Sequence, residues 1–341
     1  MENPSAPPSS PIAFTELLVG AGLVSADEQI EFTPLTGGVS SDIWLAETRH
    51  KKVCIKRALS KLKVPGDWFA PVERNAFEVA WMETAWQIAP GCCPRVVAHD
   101  PESGSFAMEY LESETYPIWK SELRDGNIDP VFAAVTGNTM AAIHAGTTDS
   151  DTVAEVFSTD AIFHSIRLEP YLEATADKHA RVAEELFDLS RTTAAQKRCL
   201  VHGDVSPKNI LVSAAGPKFL DAECAWYGDP AFDVAFCLNH MLLKCLWVPT
   251  YTAGYLACFD SLRRAYFQNL SGDETREQRT AALLPGLLLG RIDGKSPVEY
   301  ITNEAVRDRV REFSIHFLKN PAPDLTTIRT AWENHLARGG A

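Results

Sequence analysis

The chain lacks a paired cysteine motif, a long apolar run and an excess of basic residues, and each absence closes off a class of function. Eight cysteines occur in 341 residues, yet none forms a C-x-x-C pair, so a zinc site is not supported. Several stand inside apolar runs, where a free thiol behaves as a small hydrophobe. No signal peptide opens the sequence, so a reducing cytoplasm is the expected compartment. The longest apolar stretches are residues 281–290 and the region around 234–248. They are too short to span a bilayer or carry polar residues such as His240 and Lys244, so buried helices are expected and no membrane partner. Lys and Arg number 32 against 45 Asp and Glu, a net charge of −13. Such a field repels phosphate backbones and argues against nucleic acid as a partner, while suiting solubility or a cationic ligand. No internal repeat is present.

What is there is an ordinary globular composition, 45% hydrophobic and 23% charged, enough for a sizeable core in one large domain or two lobes. Residues 1–11 are rich in Pro and Ser and read as a disordered tail. A short helix is expected over 14–23. Strands follow at 31–35, 43–48 and 52–58, then a helix over 72–88 with Phe77, Val79, Ala80, Met82 and Trp86 at helical spacing, then strands at 95–99 and 105–110. Residues 111–115 are polar and suit a linker. Beyond them the pattern is helical at 130–144, 161–176 and 182–197. The exception is 199–221, where short β-like runs flank a polar loop; helices resume from 232. The expected fold class is α+β, with a small β-rich N-lobe over 12–111 and a larger helical C-lobe over 112–341.

The chemistry gathers in that polar loop. In His202-Gly203-Asp204-Val205-Ser206-Pro207-Lys208-Asn209 an Asp is followed five residues later by an Asn, and Asp221 comes twelve residues further on in Phe219-Leu220-Asp221-Ala222-Glu223. Phosphoryl transfer needs a carboxylate to orient an attacking hydroxyl and accept its proton, and oxygen ligands to hold Mg²⁺ against a triphosphate. Asp204 suits the first task; Asn209 and Asp221 suit the second. Glu223 could reach a second metal ion or its water.

H-G-D-x-x-x-x-N followed by L-D-x-E resembles the signature of the aminoglycoside phosphotransferase and choline kinase-like family, whose fold is the bilobal one of protein kinases. Trp226-Tyr227-Gly228-Asp229-Pro230-Ala231-Phe232-Asp233-Val234-Ala235 is similar to the family's G-D-P-x-x-D-x-A segment. By that resemblance Asp233 braces the catalytic loop, and His202 supports it without acting as a base. The resemblance implies an ATP- and Mg²⁺-dependent kinase acting on a hydroxyl of a small molecule: a sugar, an amino alcohol or a related metabolite. It also admits an aminoglycoside-modifying kinase, which predicts carboxylates converging on the acceptor, or a catalytically silent binding protein. The Asp221-x-Glu223 pattern and Trp226-Tyr227-Gly228 are similar to methylthioribose kinases, although Asn209 stands where their loop has Ser. No A-P-E-like segment follows Asp221, which leaves little room for peptide docking.

The N-terminal half is expected to supply a nucleotide site. The turn Thr36-Gly37-Gly38-Val39-Ser40-Ser41 lies between two expected strands and is similar to the family's T-G-G-x-S-N turn, with Ser41 in place of Asn. Glycines let backbone N–H groups approach phosphates closely, and Ser40 or Ser41 adds a hydroxyl. Lys56 lies inside an apolar strand and needs a partner there. In the family such a Lys grips the α- and β-phosphates and pairs with a helix Glu, which is Glu78 or, failing that, Glu73. Met108 is expected to back an adenine ring, with backbone groups near Glu109 and Leu111 at its edge. His144 resembles the family's structural helix-end His. For the acceptor wall, Arg291 and Lys295 could hold an anionic group and Asp293 an amine or hydroxyl. Trp119 and Lys120 follow the linker and could face the cleft, but carry no assignment. The oligomeric state is not legible.

Overall fold

Alternation along the strands decides how the first hundred residues fold. The computed structural model describes residues 11–35, 41–61, 71–268 and 273–338. Five antiparallel strands, β1 (Glu31–Leu35), β2 (Ser41–Glu47), β3 (Lys52–Ala58), β4 (Val96–Asp100) and β5 (Ser105–Glu109), pair in the order β1-β2-β3-β5-β4. Helix α1 (Pro11–Gly20) precedes the sheet and α2 (Arg74–Ile88) interrupts it. Side chains alternate between faces with a period of two. Val53 and Ile55 of β3 bury against Phe14, Leu17 and Leu18 of α1. Cys54, with Phe106 and Met108 of β5, packs against Val79 and Met82 of α2. Both faces are covered, so β3 reads as an unbroken apolar run, and Lys56 is carried on the α2 face at 3% exposure. Helix α1 starts before the expected position 14; the tail at 1–10 lies outside the described residues.

After β5 the chain is mainly helical. The elements are α3 (Trp119–Asp125), α4 (Pro130–Thr147), α5 (Asp151–Val156), α6 (Asp160–Phe163), a π-helical segment (His164–Glu173), α7 (Ala174–Ala176) and α8 (Ala183–Ala195). Four short strands follow: β6 (Cys199–Val201), β7 (Ile210–Leu211), β8 (Lys218–Phe219) and β9 (Trp226–Gly228), paired β6–β9 and β7–β8. The chain ends in α9 (Ala231–Trp247), α10 (Thr252–Gln268), α11 (Arg276–Asp293), α12 (Glu304–Lys319) and α13 (Leu325–Arg338).

Helix α9 is buried along its length and packs against α10 and α11. The expected helix over 161–176 is interrupted. Pro170 has no N–H to donate, and the turn widens so that the Ala174 N–H reaches the Glu169 carbonyl five residues back. Gly290 lets α11 lie against this segment: a Cβ there would stand 2.3 Å from the Tyr171 carbonyl oxygen. All eight cysteines are buried free thiols, in keeping with their apolar sequence context. Among the described residues no helix is long and apolar enough to cross a membrane.

Candidate active site

The loop after β6 is held from behind by a carboxylate. Asp233, in the first turn of α9, accepts the His202 and Gly203 N–H groups at 2.7 Å each. His144 Nε2 donates to the same carboxylate at 3.2 Å, and His144 Nδ1 lies 2.8 Å from the Tyr266 hydroxyl. An ionised carboxylate only accepts, so the proton of His144 sits on Nε2 and Tyr266 donates to Nδ1. Burial pushes the Tyr266 phenol well above its ordinary range and keeps it a donor. Gly203 has φ 79°, and a Cβ would meet Cys224 at 2.9 Å, so only glycine fits.

Asp204 follows directly on this braced turn and is buried at 4% exposure. Arg167, from the π-helical segment, places Nη2 2.9 Å from Asp204 Oδ2 and bonds the Gly203 carbonyl through Nε. Lys208 Nζ lies 3.4 Å from the same Asp204 oxygen. His202 Nδ1 accepts the Asp204 N–H at 3.1 Å, and its ring stands edge-on to Trp81 with centroids 4.7 Å apart. Burial lowers the His202 pKa, so the ring is neutral and serves as a spacer under the loop.

Facing Asp204 is a second group of charges. Lys56 Nζ lies 2.9 and 2.8 Å from the two oxygens of Glu78 and also bonds Asp221. Glu78 is therefore the partner on α2, and Glu73 is exposed at the start of that helix. Burial pushes Glu78 up to about 7 against the pull of Lys56. Burial alone would lower Lys56, but the Asp221 and Glu78 carboxylates outweigh it and hold the ammonium well above its usual range. Burial would likewise raise Asp221, and the Lys56 and Lys208 ammonium groups reverse this. Asp221 adopts φ 69°, the left-handed region that a residue with a Cβ enters at a local cost of about 1 kcal/mol or more.

The fit to Mg²⁺ can be judged from donor chemistry. Asn209 Nδ2 donates to the Asp204 carbonyl at 3.2 Å, which commits the amide NH2 and leaves Oδ1 as an oxygen donor. The Leu220 N–H bonds the Asn209 carbonyl at 2.9 Å, tying the Asn209 and Asp221 loops together. One amide oxygen and one carboxylate suit a hard cation that takes its other ligands from phosphates and water. Among the described residues no three His, Cys, Asp or Glu side chains gather into a metal cluster. Glu223 departs from expectation: Arg74 Nε sits 2.9 Å from its carboxylate in a buried pair, so it ties the C-lobe loop to the start of α2.

The remaining expected residues divide. Met108 is buried on the face of the sheet that carries Lys56. Glu109 spends its N–H on the Arg95 carbonyl, and Leu111 follows beyond the strand end. Ser41 is buried with its hydroxyl unpartnered. Gly37, Gly38 and Ser40 lie outside the described residues. Arg291 is buried, with Nη1 3.1 Å from the Tyr171 hydroxyl. Asp293 corrects the acceptor-wall expectation: its carboxylate is taken by Arg311 at 2.7 Å, His179 at 2.8 Å and Arg307 at 3.1 Å, so it braces α11 against its neighbours. Lys295 pairs with Glu169 in a half-exposed contact and is likewise occupied. Arg167, Arg74 and Lys208 were not expected from sequence. The one available signal was Pro170 inside a helical pattern, which marks the widened turn that carries Arg167.

A five-stranded antiparallel lobe on a helical lobe, with these loops at the junction, is the bilobal protein kinase-like fold. The chain belongs to the phosphotransferase enzyme family (APH), whose model matches residues 31–267. It is 26% identical over 272 residues to the methylthioribose kinase of Escherichia coli O45:K1 (strain S88 / ExPEC), covering 71% of this chain and 62% of that protein. It spans about 62% of the length of the curated relatives it first matches. Among solved structures it is similar to a choline/ethanolamine kinase family protein from Mesorhizobium loti, at 16% identity and TM-score 0.52, covering 94% of this chain and 98% of that one. It is also similar to a Plasmodium vivax ethanolamine kinase, at 14% identity and TM-score 0.54, covering 90% and 87%. These structural likenesses bear on the fold alone.

Proposed function

We propose that the protein is an ATP- and Mg²⁺-dependent phosphotransferase that moves the γ-phosphoryl group to a hydroxyl of a small molecule, a sugar, amino alcohol or related metabolite. The observation that supports this reading is that Asp204 and Asn209 on one loop, Asp221 on the next and Lys56 on β3 are linked into one network, by Asn209 to Asp204, Leu220 to Asn209 and Lys56 to Asp221 contacts. Asp204 orients the acceptor hydroxyl and receives its proton. Arg167 and Lys208 sit against that carboxylate and aim it. Lys56, positioned by Glu78, grips the nucleotide phosphates, and Asn209 and Asp221 hold the metal. Bound Mg²⁺ supplies neutralisation of phosphate charge. Most of the rate enhancement is positioning and charge stabilisation, because phosphoryl transfer passes through a loose transition state.

The test is ADP release from MgATP with hydroxyl-bearing metabolites and aminoglycosides, read beside the Asp204→Ala variant. Turnover in the variant is expected to fall by at least ~100-fold, with nucleotide affinity nearly intact by calorimetry. Near-normal turnover would remove Asp204 from its role, and absence of nucleotide binding to the unaltered chain would remove the whole reading.

A further inference from the structure

Beyond Asp233, α9 presents Phe236, His240 and Lys244 at four-residue spacing, a single ridge leading away from the catalytic loop. His240 and Lys244 stand about one and two turns of ~5.4 Å past Phe236. The ridge and Asp204 are joined through one ring. Tyr171 packs edge-on to Phe236 at 5.4 Å, Arg167 lies 5.9 Å over its face, and its hydroxyl meets Arg291 Nη1 at 3.1 Å. At the far end Trp247 and Tyr300 stack with centroids 4.4 Å apart. Lys244 lies 4.6 and 5.3 Å from these two rings, and Lys120 5.8 and 5.6 Å from them.

The charges here do not balance. Among the described residues the only carboxylate within ion-pair distance of Lys120, Lys244 or Arg291 is Glu299, which pairs with Lys120. Lys244, 1% exposed, has ring faces and no ion-pair partner. Among the described residues Arg291, 7% exposed, bonds through its side chain only the Tyr171 hydroxyl and Ser296, and its Nε is buried without a partner. His240 Nε2 and the Tyr300 hydroxyl are likewise buried and unpartnered. Burying cations without counter-charge costs several kcal/mol each. Of the 45 acidic residues in the chain, Glu299 is the single one that the described residues bring within ion-pair distance of these three cations. A pocket for an aminoglycoside or an amino alcohol would show the opposite sign.

We infer that the acceptor is a hydroxyl-bearing organic anion, whose carboxylate or phosphate is held by His240, Lys244 and Arg291 while its hydroxyl faces Asp204. This rests on the phosphotransferase reading and narrows it. The acceptor oxygen forms a bond to the γ-phosphorus of ATP, the bond from that phosphorus to the β,γ-bridging oxygen breaks, ADP leaves with the electron pair, and the hydroxyl proton passes to Asp204. Burial, then the Lys120 ammonium, brings Lys244 down to about 7, and burial with Arg291 and Lys244 keeps His240 well below the imidazole range. A bound anion supplies the missing counter-charge to Lys244 and Arg291 and a hydrogen-bond partner to the neutral His240.

The experiment uses the full chain with MgATP and matched acceptors: gluconate with sorbitol, pantothenate with panthenol, ribose 5-phosphate with ribose, and ethanolamine and kanamycin as cations. The anionic member of a pair is expected to exceed its neutral partner in kcat/KM by about 100-fold or more, two tenfold steps of binding. The carboxylate and phosphate arms identify which anion is used. Lys244→Met and Arg291→Met are expected to raise the acceptor KM by about tenfold each, with kcat and ATP affinity little changed. Thermal stabilisation of the unaltered chain by each compound gives a second readout, independent of whether the variants fold. Equal or better turnover of neutral or cationic acceptors overturns the inference and leaves the kinase reading standing. So does nucleotide binding with no anion reacting or stabilising the chain. Failure to bind nucleotide at all overturns both.

Discussion

Replacing Asp233 tests whether the catalytic loop is shaped by one carboxylate. Its two oxygens take the His202 and Gly203 N–H groups at 2.7 Å, and its Oδ2 also takes His144 Nε2 at 3.2 Å. All of these groups are buried, so Asp233→Ala strands three donors without water. At about 1–3 kcal/mol per stranded donor, with incomplete additivity in one network, the loss is about 3–6 kcal/mol. That is a large part of the stability of an ordinary domain, so the alanine variant is expected near its unfolding threshold. Asp233→Asn is the sharper probe. Its amide oxygen still accepts one backbone N–H, while its NH2 meets the other donor head-on. A loss of about 2–3 kcal/mol is expected, together with at least a ~10-fold fall in kcat, because Asp204 is the next residue of the displaced loop. Urea titration followed by tryptophan fluorescence suits the measurement, since Trp81 packs against His202. An Asn variant that stays within about 0.5 kcal/mol of the parent and keeps its kcat would refute the argument that Asp233 sets the loop.

Three other outcomes are expected. Lys56→Met leaves the Glu78 and Asp221 carboxylates facing each other and is expected to weaken ATP binding by at least ~10-fold in calorimetry. Arg74→Met strands a buried Glu223 and should cost about 3–5 kcal/mol; combining it with Glu223→Gln should recover part of that, a coupling read by a double-mutant cycle of denaturation curves. Lys244 has a folded-state pKa of about 7, below its ordinary 10.5, so between these values the unfolded chain binds the extra proton and this group's contribution to stability rises with pH. Lys244→Met should therefore stabilise the chain by about 1–4 kcal/mol near about pH 6 and by about half as much near about pH 9, measured by urea denaturation. A constant difference across that range would contradict the assigned burial.

Local chemistry was legible in the sequence and remote pairing was not. Asp204, Asn209 and Asp221 lie within eighteen positions of each other, and the hydrogen bonds linking them, Asn209 to Asp204 and Leu220 to Asn209, are short-range. The strand carrying Lys56 was legible because alternation on a doubly covered sheet leaves a continuous apolar run. The family resemblance favoured Glu78 over Glu73, and Glu78 is the one that contacts Lys56, from the buried side of α2. Glu223 looked like a metal ligand because its partner Arg74 is 149 positions away. Asp293 looked free beside Arg291 and Lys295, yet its partners Arg307 and Arg311 come from the next helix and His179 from an earlier segment. Arg167 stayed hidden because a widened turn, not a regular helix, aims it at Asp204.

Net charge says little about the site for a related reason. A total of −13 suits solubility or a cationic ligand, but it is a property of the whole surface and not of one site. At the candidate site Lys56, Arg74, Arg167 and Lys208 are matched against Glu78, Asp204, Asp221 and Glu223, and each of these contacts also fixes a backbone segment or a functional carboxylate. Lys244 and Arg291 are the cations left over, one helix ridge away. Cations already desolvated in the folded state need no reorganisation when an anion arrives, so the cost of burying them is recovered on binding. The acidic exterior then acts against capture of such a ligand at long range, and screening by salt removes that barrier beyond about 8–10 Å while leaving the buried contacts nearly untouched. Acceptor binding should therefore tighten or hold steady as ionic strength rises through the physiological range, the reverse of what a surface-charge capture mechanism requires.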